Sequence, residues 1–410
     1  MTAARLKIGI FLSYAIFAIL LNSVGTVILQ SIEYFRIDKV TASTLEAFKD
    51  LPIAITSFLI ASFLPRIGYR RGMIVGLAVV GAACTAMPLI NAFWGTRLLF
   101  FAIGVSFAIV KVAVYSSVGL LTETRKEHAS LLNVIEGVFM LGVLGGYWIF
   151  AAFIDHGDPS SPRWLQVYWV LAAACAAAIV VLATARFDES RAHDEVGTHS
   201  PASDFGAMLR LAARPLTIVF IVSVFLYVLI EQGIGTWLPT FNRQLLGLSA
   251  PMSVQAASIF AVGLAVGRLG AGAIVRRTGW YPLLIACLGA MAVLIVVALP
   301  LANAASGEAV DSWAGAPVAA FVFPLIGLFM APIYPAINSA ILSAMPPANQ
   351  SSMVGLIVVF SALGGTTGSF IIGRVFAAFE GAGAFYLLLI PIAVVAISIT
   401  ALKRLTDRAA

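Results

Sequence analysis

The chain has 410 residues, of which 61% are hydrophobic and 11% charged. So few charges cannot cover the surface of a soluble protein of this length, so composition excludes a soluble fold and points to a polytopic membrane protein. The formal net charge of +6 lies in short clusters between apolar runs, a topology signal and not a nucleic-acid-binding face.

Arg5 and Lys7 precede the first apolar run, 8–32, which is longer than a signal-peptide core and heads a series of similar runs; it is read as a transmembrane helix. The runs that follow are 43–65, 72–93, 97–121, 131–154, 165–185, 213–238, 252–275, 280–301, 315–344, 351–376 and 382–402. Each approaches or exceeds the ~20 apolar residues that cross a bilayer, so the expected fold is all-α with twelve transmembrane helices. Run 315–344 carries Pro324, Pro332 and Pro335, which predicts a kinked helix with freed carbonyls turned to protein or water.

Within these runs a few ionisable residues stand alone. Lys111 lies near the middle of 97–121, and an ammonium at that depth costs roughly 2.5–3.5 kcal/mol unless it faces a wet cavity, a carboxylate or a ligand. Two readings are open: Lys111 pairs with Glu136 or Glu231 and holds helices together, or it binds a negative group of a solute. Glu136, near the start of run 131–154, is either an acid favoured by a helix N-terminus or a proton-coupling carboxylate. Glu231 lies deeper, beside Gln232, Gly233 and Gly235, and is the stronger candidate for proton coupling, with a structural hydrogen bond as the rival. Arg268 reads as a side chain that snorkels to the membrane surface. Asn22, Ser23, Tyr115, Tyr227, Gln232, Tyr334 and Asn338 are the remaining candidates for contact with a solute, with helix packing as the alternative for each. Tyr334 and Asn338 are four residues apart and share one helix face.

The loops set orientation. Arg5 and Lys7, Arg66, Arg70 and Arg71, Arg125 and Lys126, Arg276 and Arg277, and Lys403, Arg404 and Arg408 fall on one side; Asp155, Asp158, Glu308, Asp311 and Glu380 fall on the other, where Trp237 is read as an interface anchor. The basic side is cytoplasmic by the positive-inside rule, which places both termini inside. The polar stretch near the middle divides the chain into halves 1–186 and 213–410 joined by a linker, 187–212, containing a short amphipathic helix around Phe205 to Leu211. The halves echo each other. Leu64 to Arg71 recurs as Val275 to Gly279, Asn22 to Thr26 as Gln232 to Thr236, and Leu144-Gly-Gly146 as Leu363-Gly-Gly365. Parallel repeats of this kind predict a midplane solute site between pseudo-symmetric six-helix halves.

Catalytic signatures are missing: there is no P-loop, no HExxH, no GxSxG and no histidine within a run. Cys84, Cys175 and Cys287 lie in apolar segments without CxxC spacing, so no metal and no cofactor is expected. Without a nucleotide site, an ion or solute gradient must supply the energy.

Twelve runs, a central polar linker and the Arg66-Ile-Gly68-Tyr-Arg70 turn with its second copy at Arg277-Thr-Gly279 resemble the major facilitator superfamily across the chain. The resemblance implies that Arg66, Gly68, Arg70, Arg277 and Gly279 take part in gating; the acid that precedes the first Arg in the family is Pro65 in one copy and Arg276 in the other. Leu132 to Gly137 and Tyr227 to Pro239 are most similar to the fucose/proton symporter branch, where Lys111 and the Asn22-Ser23 pair stand at positions that carry carboxylates. Gly142-Val-Leu-Gly145-Gly146 lacks the proline of the drug/proton antiporter signature, which argues against multidrug efflux. The expected function is secondary transport, by alternating access, of a small polar and anionic solute, as proton-coupled uptake by a monomer in the plasma membrane. A neutral sugar/proton symporter and an exporter are the alternatives.

Overall fold

The computed structural model describes residues 2–60, 64–122, 124–185, 189, 210–304, 309–343, 345, 347–379 and 383–409. Most of the linker at 187–212, including Phe205, lies outside the described residues, as do Glu308, Glu380 and the side chain of Arg66. The chain falls into two compact units: Met1–Val24 with Phe48–Pro201, and Gly25–Ala47 with Ala202–Ala410.

The first apolar run is two helices, α1 (Thr2–Asn22) and α2 (Val24–Tyr34). The break is at Ser23, whose hydroxyl donates to Leu20 O at 2.7 Å, while Asn22 Nδ2 donates to Ala18 O at 2.9 Å. Side chains that bond the preceding turn in this way compete with the backbone ladder. There follow α3 (Lys39–Ile60), α4 (Leu64–Ile67), α5 (Tyr69–Ile90), α6 (Phe93–Leu121), α7 (Arg125–Phe153) and α8 (Val167–Thr184).

In the first unit α1 packs on α7 and α8, and α5 on α6 and α8. Phe17, Phe100, Phe150, Trp164 and Tyr168 fill the contacts and are fully buried.

The second unit holds α9 (Pro215–Gln244), α10 (Ala250–Thr278), α11 (Trp280–Ala304), the short α12 (Ala319–Val322), α13 (Ile326–Met330) and α14 (Ile333–Ser343), then α15 (Pro347–Ala378), α16 (Gly383–Tyr386) and α17 (Leu389–Ala409). Run 315–344 is interrupted at its prolines: a 3-10 turn at Phe323–Leu325 contains Pro324, and a turn at Ala331 and Pro332 separates α13 from α14. A proline lacks the N–H that the helix ladder needs.

The α9–α15 pair is the most extensive packing in this unit. A Cβ on Gly364 or Gly368 would lie 2.3 and 2.2 Å from the carbonyls of Phe225 and Leu229, so only glycine lets these two backbones touch. The same relationship recurs in the first unit, where a Cβ on Gly142 or Gly146 would crowd Ala15 and Ile19 of α1. The duplicated Leu-Gly-Gly segments thus lie on helices that pack against the first helix of their own half.

Eleven helical stretches among the described residues are long and apolar enough to cross a membrane. The twelfth expected span, α3, is less apolar because Lys39, Glu46, Lys49 and Asp50 lie in it. Those charges are held internally. In the second unit Glu46 is fully buried and accepts the Thr236 hydroxyl at 3.1 Å. In the first unit Lys49 and Asp50 form an ion pair at 3.5 Å with 5% and 11% of their side chains exposed.

Candidate functional site

The first unit carries a polar stripe on α6. Lys111, Tyr115 and Gly119 recur every four residues and so share one face, and all three are exposed, Lys111 more than two turns from the end of the helix. Facing them is Glu136 on α7, exposed as well; it accepts a hydrogen bond from the Tyr115 hydroxyl at 2.5 Å. Glu136 is also the carboxylate that acts electrostatically on Lys111. Even so, Lys111 forms no ion pair within 4.0 Å among the described residues. Its ammonium stands 5.7 Å over the Phe107 ring. Phe107 in turn packs with Tyr14, Phe17 and Phe139, giving the cluster an aromatic floor. A Cβ on Gly119 or Gly137 would meet nothing within 4 Å, so the space beside the charges is open.

This arrangement supplies one accessible cation, one acceptor already engaged by a phenol, and room for a solute. Of the other candidates in this unit, Asn22 and Ser23, the structure shows an amide and a hydroxyl committed to carbonyls of α1.

The second unit carries a separate cluster on α9, α10, α14 and α15. Tyr227 is buried and donates to Met330 O at 3.2 Å, with the Tyr334 ring 5.7 Å away. Glu231 and Arg268 both act electrostatically on Tyr227 and Tyr334. Tyr334 bonds the Ser361 hydroxyl at 3.2 Å. Asn338 Oδ1, one turn along α14, is buried with no hydrogen-bond partner among the described residues. Gln232 is half-buried next to Glu231.

Arg268 is exposed on α10 and acts electrostatically on this cluster, which leaves the surface-seeking reading of its sequence context standing. It is brought near the cluster by the meeting of α10 with α9, a tertiary relation to which local sequence gives no clue. Trp237 corrects the interface-anchor reading: it is fully buried, its indole N–H donates to Ser369 O at 3.0 Å, and its ring packs on Phe376.

The two basic turns share a backbone solution. Gly68 and Gly279 have φ of 95° and 78°, the left-handed region that favours glycine. Each closes the preceding helix, donating to Leu64 O at 3.0 Å and to Val275 O at 2.9 Å. At the first turn, Arg70 donates from its guanidinium to Ala183 O and Ala185 O, satisfying carbonyls at the C-terminal end of α8. The Arg70 backbone N–H donates to the Glu189 carboxylate at 2.8 Å. An acid from beyond α8 thus caps the start of α5. Arg277 is exposed.

No group of three or more His, Cys, Asp or Glu side chains that could hold a metal occurs among the described residues.

The sequence model of the Major Facilitator Superfamily matches residues 8–369. A search of the curated proteins finds no match. Among solved structures, a bacterial homologue of the human lysosomal transporter Spinster, inward-facing and occupied, is 13% identical, with a TM-score of 0.75 over 100% of this chain and 97% of that one. A mutant of the nucleoside transporter NupG is 13% identical, with a TM-score of 0.74 over 98% of this chain and 100% of that one. The transporter FucP in the outward conformation is 16% identical, with a TM-score of 0.62 over 98% of each chain; another structure of it is of the E. coli fucose:proton symporter.

Proposed function

Because the chain belongs to the major facilitator superfamily, and so is a membrane transporter of solutes, we propose that its cargo is a small polar solute whose negative group is held at Lys111. The observation that carries this reading is the ammonium itself. It is accessible in the middle of an apolar helix and without an ion pair among the described residues, while the nearby carboxylate is engaged by Tyr115. A charge kept at such a depth at a cost of a few kcal/mol is most simply kept for a ligand of opposite sign.

Transport is uptake by alternating access across the plasma membrane, coupled to proton entry at Glu231 or Glu136, and the working unit is a monomer. Proton coupling is supported by the two carboxylates beside tyrosines and by the shared fold with the fucose:proton symporter. The halves 1–186 and 213–410 are the moving parts, with 187–212 as their linker and both termini in the cytoplasm. The turns containing Arg66, Gly68 and Arg70, and Arg277 and Gly279, gate the movement.

Counterflow in proteoliposomes tests this reading. Labelled small carboxylates should exchange against an internal pool of the same anion, and exchange should collapse in Lys111→Gln. Exchange of neutral sugars but of no anion would discard the anion reading. It would favour the second reading, a neutral sugar/proton symporter, for which the hydroxyls of Tyr334 and Ser361 and the orphan acceptor of Asn338 supply the contacts.

A further inference from the structure

At the end of the second unit that carries Arg276, Arg277 and Arg404, α11 begins and α17 finishes, and the two helices pack side by side. Between them runs a groove of about 670 Å³. Its wall is apolar, formed in part by Ile285, Ile397 and Leu405, and Ile397 is 69% exposed. Its other end is polar. The Tyr281 and Thr400 hydroxyls meet at 3.2 Å, and Arg404 is exposed beside them. Lys403 stands 5.7 Å over the Tyr281 ring, and Trp280 packs edge-on against Tyr281.

Each of these features has a meaning in a bilayer. Aromatic residues such as Trp280 and Tyr281 settle at the level of the headgroups, which puts Arg404 at that level too. From Arg404 to Ile397 is two helical turns, about 10 Å, so the apolar wall runs from the headgroups into the acyl region. A guanidinium presents paired N–H donors that match two phosphate oxygens. The Thr400 hydroxyl already donates to Ala396 O at 2.8 Å, so the Tyr281 hydroxyl is the one that can turn from Thr400 to a remaining oxygen. The sequence around the site is basic: Lys403, Arg404 and Arg408 outnumber Asp407, and Arg276 and Arg277 lie at the same end. Basic pockets between helices on the positive side of a membrane protein recognise anionic headgroups.

We propose that this groove is a binding site for one anionic phospholipid of the leaflet facing the basic loops, its phosphate on Arg404 and the Tyr281 hydroxyl and an acyl chain along Ile285 and Ile397. The site is on the outside of the second unit and does not depend on the identity of the transported solute. Its occupant joins the start of α11 to the end of α17, so it stabilises the folded protein by mass action.

The test uses the purified full-length protein in detergent, melted in the presence of phosphatidylglycerol, phosphatidylcholine with the same chains, or inorganic phosphate. Phosphatidylglycerol should raise the melting temperature above that in phosphatidylcholine, and inorganic phosphate should not. Most of that difference should vanish in Arg404→Gln. It should vanish also in Ala401→Trp, which fills the groove and leaves the charge, so the reading survives if one variant fails to fold. Arg276→Gln, at the same end but outside the groove, should keep it. An equal response to both lipids in the native protein, a difference that persists in both groove variants, or an equal effect of inorganic phosphate would overturn the proposal.

Discussion

The Tyr115 hydroxyl donates to Glu136 at 2.5 Å, and Lys111, one helical turn before Tyr115, is left beside that carboxylate without an ion pair among the described residues. The phenol takes the place that the ammonium would take in a purely structural pair. From this follows the first expectation. Lys111→Gln breaks no ion pair among the described residues, so it should melt close to the native protein, while uptake falls about tenfold or more, the effect of losing one charged contact of ~1.4 kcal/mol. Uptake assays and melting curves on the same preparation check both halves.

The Lys49–Asp50 pair on α3 should behave in the opposite way. It is largely shielded, so Asp50→Asn leaves a desolvated ammonium, at a cost of about 3–5 kcal/mol. The double variant Lys49→Met, Asp50→Asn should regain part of that loss. A double variant that melts no higher than the single one would show that the pair is not what holds this part of α3.

Glu189 accepts the N–H of Arg70 at the start of α5, so Glu189→Ala removes a cap and should lower stability by about 1 kcal/mol. The variant should also become more easily cleaved near the linker; unchanged proteolysis would argue that the contact is incidental.

Among the loop acids, Asp155 is held below the usual carboxylate range by the N–H of Gly157 and then of Asp158, and Asp38 by Thr41. A carboxyl whose pKa is lower in the folded chain adds stability above its unfolded pKa, near 3.8, and the gain is lost as pH falls through its folded value. Asp155→Asn should therefore melt below the native protein at pH 7, and the gap should close toward pH 3. Between pH 5.5 and 7.5 neither acid titrates. Any change in ligand response across that window therefore belongs to groups other than these two acids.

Much of this was legible in the sequence because a bilayer imposes a simple rule: apolar runs of sufficient length, broken by basic and acidic loops. Lys111 and Glu136 stood out because each is a lone charge in or near an apolar run. The charges of α3 did not, since the apolar stretch that follows Leu51 made the whole run read as an ordinary span. Ser23 ends α1 through a bond to Leu20 O that local hydropathy does not register. Arg268 acts electrostatically on Tyr227 and Tyr334 because α10 packs on α9, a relation between residues more than thirty positions apart. The interior place of Trp237 depends on Ser369 in the same way.

The central claim is that Lys111 holds the negative group of the cargo, and one measurement tests it most directly. Native protein and Lys111→Gln are melted at pH 5.5 and 7.5 against small carboxylates, sugar acids, amino acids and neutral sugars. A ligand at a hundredfold excess over its dissociation constant stabilises by about 2.7 kcal/mol, well within reach of a melting curve. The account predicts that anions raise the native melting temperature, and that the rise is lost in a variant that remains folded. Stabilisation by neutral sugars alone, with Lys111→Gln merely melting lower, would contradict it and make Lys111 a structural partner.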